Sequence, residues 1–281
     1  MSRIITAAIA LPVLIASILY PPFELVFVLI VNVAIATALY EFWFLAKRVG
    51  AKPDIVVGYA ATAALLVGFF FDAPYVEPRW IVFCVIALAV GALAAEMLRG
   101  APFDKMIVSV GSTVLGVLYV VLLGGHLISL RLSFPQSALD HPASFSISTH
   151  LLSYFFLVLM GSDTGAYYTG RALGKHKLAP SVSPGKTWEG AFGGMAASLL
   201  VAALSHFWFF PEISLVAALV LAAVMNVLGV VGDLTESALK RGAKAKDASQ
   251  IIPGHGGLLD RLDSLLFNAP LIYYFALYYW R

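Results

Sequence analysis

The sequence predicts an all-α, polytopic membrane protein of about nine transmembrane helices, with its N-terminus in the cytoplasm and its C-terminus outside. Three observations lead there. Of 281 residues, 60% are hydrophobic and only 12% are charged, where a soluble domain carries about 25% charged residues. Nine apolar runs each approach the ~20 residues needed to cross ~30 Å of hydrocarbon. With nine spans, fifteen of the 18 lysines and arginines fall on one side of the membrane, the asymmetry that marks cytoplasmic loops.

The first run, about 4–20, follows Met1-Ser2-Arg3. A basic start before an apolar stretch resembles a signal peptide, but no small-x-small cleavage site precedes Pro21-Pro22 and another apolar run follows at once. It therefore reads as a retained helix, with Pro21-Pro22 as the turn into the second span, about 23–46. The remaining spans are about 55–72, 80–98, 106–131, 150–170, 188–210, 213–236 and 264–280. Only Arg79, Arg131 and Arg281 lie on the outer side. Residues 1–150 form an N-terminal region of about five spans. Residues 151–281 form a C-terminal transmembrane region with cytoplasmic loops. The net charge of +2 gives no support to a nucleic-acid partner. The single cysteine, Cys84, excludes an intramolecular disulfide and reads as a buried thiol. His126, His141 and His150 have no metal-ligand spacing and read as surface or interfacial.

Four polar constellations interrupt this apolar chain. Asp163, in the run Gly161–Arg171, lies within the sixth span. A charge there costs at least ~2.5–3.5 kcal/mol on insertion scales, so it needs a partner, a metal or a wet cavity. A helix-packing ion pair beside Gly161, Gly165 and Gly170 is one reading, and a cavity wall open to the cytoplasm is the other. The second constellation, Ser181–Gly190, places Ser183-Pro184 as an N-cap with Pro at the first helical position. With Lys186 it resembles an anion site. Its Pro-Gly-Lys-Thr run lacks the spacing of a P-loop. The third, Gly232–Glu236, sets Asp233 and Glu236 on one helix face, for pairing with Lys240 or for lining the same cavity.

The fourth is the most polar stretch, Ser237–Asp263. Asp260 and Asp263, three residues apart, can face the same way and hold a hard divalent cation, with Asp247 as a third carboxylate. Lys240, Arg241, Lys244, Lys246 and Arg261 supply positive charge, and Gly254, Gly256 and Gly257 let backbone N–H groups approach an oxyanion. His255 can shuttle a proton, donate to a phosphate or hold the loop. Together these residues point to a membrane-embedded, cytoplasm-facing site of Mg²⁺ type for phosphate or nucleotide, suited to phosphoryl or nucleotidyl transfer.

The run from Ser237 through Lys240-Arg241, Lys246-Asp247, Ser249, Ile252-Pro253, His255-Gly256-Gly257-Leu258 and Asp260-Arg261-Leu262-Asp263 resembles the full signature of the phosphatidate cytidylyltransferases, or CDP-diglyceride synthetases. Asp163–Tyr167 and Ser183–Thr187 are similar to further segments of that family. The resemblance implies transfer of CMP from CTP to phosphatidic acid, giving CDP-diacylglycerol and pyrophosphate, in phospholipid biosynthesis. It implies a dinuclear centre of Mg²⁺ with K⁺ as a candidate second ion, held by Asp247, Asp260 and Asp263, with Asp163 and Asp233 as further candidates. Lys246 and His255 join Asp247 and Asp263 as catalytic candidates. Ser183, Lys186, Lys240, Arg241, Arg261, Gly256, Gly257 and Asp163 are implied substrate contacts. A bacterial-type inner membrane, an active site facing the cytoplasm, contact with membrane lipids and a homodimer follow from the same resemblance. A transporter of an anionic or phosphorylated solute is the competing reading, since an intramembrane aspartate and glycine-interrupted helices permit one. Inverted repeats would favour it, and none is detectable.

Overall fold

A computed structural model describes residues 2–71, 78–101, 103–134, 146–249 and 256–280. Helices α1 (Ser2–Leu19), α2 (Glu24–Arg48), α3 (Ile55–Phe71) and α4 (Pro78–Arg99) are followed by α5 (Met106–Gly116), which passes through a π-helical segment, Val117–Leu122, into α6 (Leu123–Ser133). Then come α7 (Ile147–Leu173), strands β1 (Lys177–Ala179) and β2 (Ser183–Thr187), α8 (Trp188–Trp208), α9 (Leu215–Gly242) and α10 (Leu259–Tyr279). Each expected span has a helical counterpart among the described residues. Five are long and apolar enough to cross a membrane: α2, Arg79–Arg99, the continuous Met106–Ser133, α8 and α9. The protein is a polytopic membrane protein. Large apolar side chains such as Ile107 (88% exposed) and Leu98 (81%) face outward, as lipid contact requires.

The chain divides into two compact units, each discontinuous in sequence. The first contains residues 1–133 and 239–262, and the second contains 134–238 and 263–281. In the first, α2 buries Phe27, Val31, Ile35, Ala38 and Phe42, a helical spacing that makes one face the core. Trp43 on the same helix donates its indole N–H to the Ser112 carbonyl at 3.2 Å. Gly58 and Gly116 leave room for its ring, since a Cβ on either would lie 2.3 or 2.7 Å from it.

In the second unit, α7 begins at an N-cap, Ser146, whose hydroxyl accepts from Thr149 N at 3.2 Å. It packs closely on α8 through small residues. A Cβ on Gly165 would stand 2.5 Å from Ala197 Cβ and 2.7 Å from the Gly193 carbonyl oxygen, the close backbone approach typical of membrane helices.

Three local expectations change. The all-helical reading gains a small antiparallel hairpin, in which Lys177 pairs with Thr187 and Ala179 with Ser183. Ser183-Pro184 is therefore extended strand rather than a helix start. The helix begins after Thr187, whose hydroxyl accepts from Gly190 N at 3.1 Å. His126 and His150 are buried rather than interfacial. Nδ1 of His126 lies 2.8 Å from the Leu122 carbonyl, and Nδ1 of His150 lies 3.2 Å from Glu212 Oε2, so local partners replace water. Cys84 is buried and free, as expected. His141 lies outside the described residues.

Candidate active site

Four elements of the second unit converge on one polar region. The hydroxyl of Ser162 on α7 accepts from Asn226 Nδ2 of α9 at 2.6 Å, which ties these two helices together beside Asp163. Glycine brings α9 against α10: a Cβ on Gly232 would meet the Asp263 carbonyl oxygen at 2.5 Å. The neighbouring Asp233 is thereby set close to Asp263. Strand β2 delivers Lys186, whose ammonium pairs with the Asp233 carboxylate. Asp263 interacts electrostatically with Asp233, Asp163 and Lys186, and Asp163 with Asp233 and Lys186.

These groups surround a cavity of about 650 Å³, lined among others by Asp163, Arg171, Ser183, Lys186 and Asp233. That size suits a small-molecule site. Tyr167 and Arg171, one turn apart on α7, share its wall, and the guanidinium donates to the tyrosine oxygen at 3.1 Å. Its wall mixes small and apolar residues such as Ala166, Leu178 and Val230 with the charged Asp163, Arg171, Lys186 and Asp233.

Of the residues singled out in the sequence, the structure brings Asp163, Ser183, Lys186, Asp233 and Asp263 together here. Glu236 belongs to the second unit and is buried, whereas Lys240, Arg241, Lys244, Lys246, Asp247, Gly256, Gly257, Asp260 and Arg261 lie in the first. Lys240 pairs with Asp260 at 2.8 Å. The Asp260 carboxylate also accepts from Gly257 N at 2.8 Å and from Ala248 N at 3.2 Å. Arg241 donates to the Ala245 carbonyl at 3.3 Å. Gly256 takes φ +78°, a left-handed turn that only glycine adopts without strain. Lys244, Lys246, Asp247 and Arg261 are exposed, and His255 lies outside the described residues.

Among the described residues, no three His, Cys, Asp or Glu side chains converge as a preformed metal cluster. The Asp260 carboxylate, one of the three aspartates expected to hold metal, accepts from the N–H groups of Ala248 and Gly257.

The donor chemistry of the second unit nevertheless fits a hard cation. Asp163, Asp233 and Asp263 offer oxygen ligands only, and the carboxylates outnumber the lysine that faces them. Mg²⁺ needs just one or two carboxylates when phosphate oxygens and water complete its shell.

Sequence reasoning overlooked two residues. One is Arg171, on the cavity wall. The other is Glu41, an acidic residue in the middle of an apolar helix and fully buried at 0% exposure. The signal that could have found Glu41 was the one used for Asp163, a charge inside a span.

With the geometry established, comparison with known proteins adds a family. Residues 1–279 match the model of the cytidylyltransferase family. A Synechocystis protein named phosphatidate cytidylyltransferase is 36% identical over 202 residues, covering 66% of this chain and 68% of its own. Proteins of the same name from Haemophilus influenzae and Bacillus subtilis are 46% and 44% identical over 129 and 126 residues. Those alignments cover 44% of this chain and 45% and 47% of theirs, so the chain spans about half the length of these relatives.

Proposed function

We propose, from the premise that this chain belongs to the cytidylyltransferase family, that it transfers CMP from CTP to phosphatidic acid. A phosphate oxygen of the lipid forms a bond to the α-phosphorus of CTP. The bond from that phosphorus to the bridging oxygen of the β-phosphate breaks, and pyrophosphate leaves with the electron pair. The observation that carries this reading is the cavity in which Lys186 and Asp233, Asp163 and Ser183 meet inside a membrane protein. One substrate is a lipid with its head group at the interface and the other is a soluble nucleotide, so a polar cavity within apolar helices suits both.

The chain's own groups have definite tasks. The Lys186 ammonium, held by Asp233, is positioned to neutralise a phosphate. The Ser183 hydroxyl can donate to a phosphate oxygen, and Arg171 offers a planar fork to the lipid phosphate. The attacking phosphomonoester is already anionic at neutral pH, so the site requires no strong base. Asp163, Asp233 and Asp263 would hold Mg²⁺, with K⁺ as a candidate companion. Bound there, the metal would draw charge from the phosphate oxygens and favour departure of pyrophosphate. Lys240, Arg241, Lys246, Asp247, His255, Asp260 and Arg261 stay candidate catalytic, metal or substrate residues on the strength of the family resemblance of Ser237–Asp263.

Nine spans, a cytoplasmic N-terminus and an external C-terminus remain our topology, supported by fifteen of the 18 basic residues lying on one side. That places the cavity toward the cytoplasm, where CTP is found. The test is direct. Purified protein in mixed micelles with phosphatidic acid, labelled CTP and Mg²⁺ should form labelled CDP-diacylglycerol, and chelation of the metal should stop it. No product across varied lipid and metal conditions would refute the assignment.

A further inference from the structure

The carboxylate of Glu41 performs a task that its place in the chain does not announce. Oε1 accepts from Leu258 N at 3.0 Å and from the Ser249 hydroxyl, and Oε2 accepts from Leu259 N at 2.7 Å. These partners lie 208 to 218 residues away in sequence and within the same unit.

The N–H groups of Leu258 and Leu259 open α10. The first N–H groups of a helix have no intrahelical acceptor. Neither Gly257 nor Leu258 carries a side-chain acceptor to cap them. The cap is supplied instead from α2. Gly257 is shaped to admit it, because a Cβ there would stand 2.8 Å from Glu41 Oε2 and 2.9 Å from Ala248 Cβ. From the other side, Asp260 accepts from Ala248 N and Gly257 N and pairs with Lys240. Two carboxylates therefore grip the backbone on either side of the polar loop. An N-cap serine at position 258 would serve the N–H groups of the next residues rather than those of Leu258 and Leu259, and burying a carboxylate in its place is costly. What the buried glutamate adds is attachment of Ser249 and the start of α10 to α2.

We propose that Glu41 is a positioning residue of the transfer reaction, fixing the start of α10 and holding Ser249 to α2. Asp263 follows one turn later on the same helix. The inference rests on the cytidylyltransferase reading, and the experiment separates the two.

Glu41→Gln keeps the shape but sets an amide N–H against one of three donors. It should fold and lower kcat about ten- to hundred-fold, as misplacement of reacting groups does, with KM for CTP within about three-fold. Glu41→Asp, which keeps the charge, should recover part of the loss. In the same samples, trypsin should cut at the exposed Lys244 and Lys246 about ten-fold faster in Glu41→Gln than in wild type. Wild-type kcat per folded molecule in Glu41→Gln would overturn the proposal. So would a loss shared equally by Glu41→Asp and Glu41→Gln with unaltered trypsin cleavage. If Glu41→Gln fails to fold, Ser249→Ala, which removes one donor and no charge, carries the test: a kcat lowered about three-fold or more supports the proposal and an unchanged kcat overturns it. Wild-type protein that makes no product refutes the functional reading instead. In that case the trypsin comparison alone decides whether Glu41 holds the loop.

Discussion

Replacing Gly165 with alanine adds one methyl group where α7 and α8 touch. The new Cβ would lie 2.5 Å from Ala197 Cβ and 2.7 Å from the Gly193 carbonyl oxygen. Carbon atoms prefer about 3.5–4.0 Å, so the helices must part by roughly 1 Å. One of the opposing atoms is backbone, which cannot rotate away. Overpacking of this kind costs about 1–3 kcal/mol. Alanine's better helix propensity offsets up to about 1 kcal/mol. Gly111→Ala isolates that second effect, because nothing lies within 4 Å of a Cβ there. The control should therefore be neutral or more stable, by about 0.5–1 kcal/mol. The difference between the two variants should be about 1–3 kcal/mol, a factor of roughly 5 to 150 in the unfolding equilibrium. Reversible unfolding in mixed micelles of increasing SDS fraction measures it. Equal stability of the two variants would show that α7 and α8 do not depend on contact at Gly165. Asp163 sits two residues before Gly165, so CTP turnover should fall with the stability of Gly165→Ala and stay at the wild-type level in Gly111→Ala.

Two predictions concern the charges. Lys186→Met removes the cation paired with Asp233 and should lower kcat/KM for CTP about ten- to hundred-fold, the range for a charged hydrogen bond; steady-state kinetics at fixed lipid mole fraction would expose an unchanged value. Asp263→Asn and Asp260→Asn should separate in opposite directions: the first lowers kcat about a hundred-fold or more with stability little changed, whereas the second, whose carboxylate serves Ala248 N, Gly257 N and Lys240, loses about 1–3 kcal/mol of stability. The same activity and SDS-unfolding measurements check both, and a shared pattern would refute the division of roles.

Apolar run length made the spans legible, because lipid demands the same thing of every helix that crosses it. The expected 188–210 and 55–72 lie within two residues of α8 and α3. The hairpin at 177–187 was not legible, since Ser183-Pro184 fits a helix start as well as it fits an edge strand. Asp163, Ser183 and Lys186 were found by their cost or their charge and do meet in one cavity. The metal set of Asp247, Asp260 and Asp263 came from the spacing of two of them and from the family resemblance. Spacing along a helix says which face a residue is on, but not whether its oxygens are already taken. Asp260 is taken by backbone groups at 248 and 257, a pairing set by the loop's path and invisible in the order of residues. Glu41 shows the same limit at longer range, because its donors lie over 200 residues downstream.

That separation also has a meaning in time. Ribosomes add about 5–20 residues per second, so 208 residues take roughly 10–40 seconds. Throughout that interval α2 is already made, while the serine and the two amides that will receive its carboxylate do not yet exist. Until then the Glu41 carboxyl lacks all three of these donors, and the first unit cannot close before its second segment, residues 239–262, has been made.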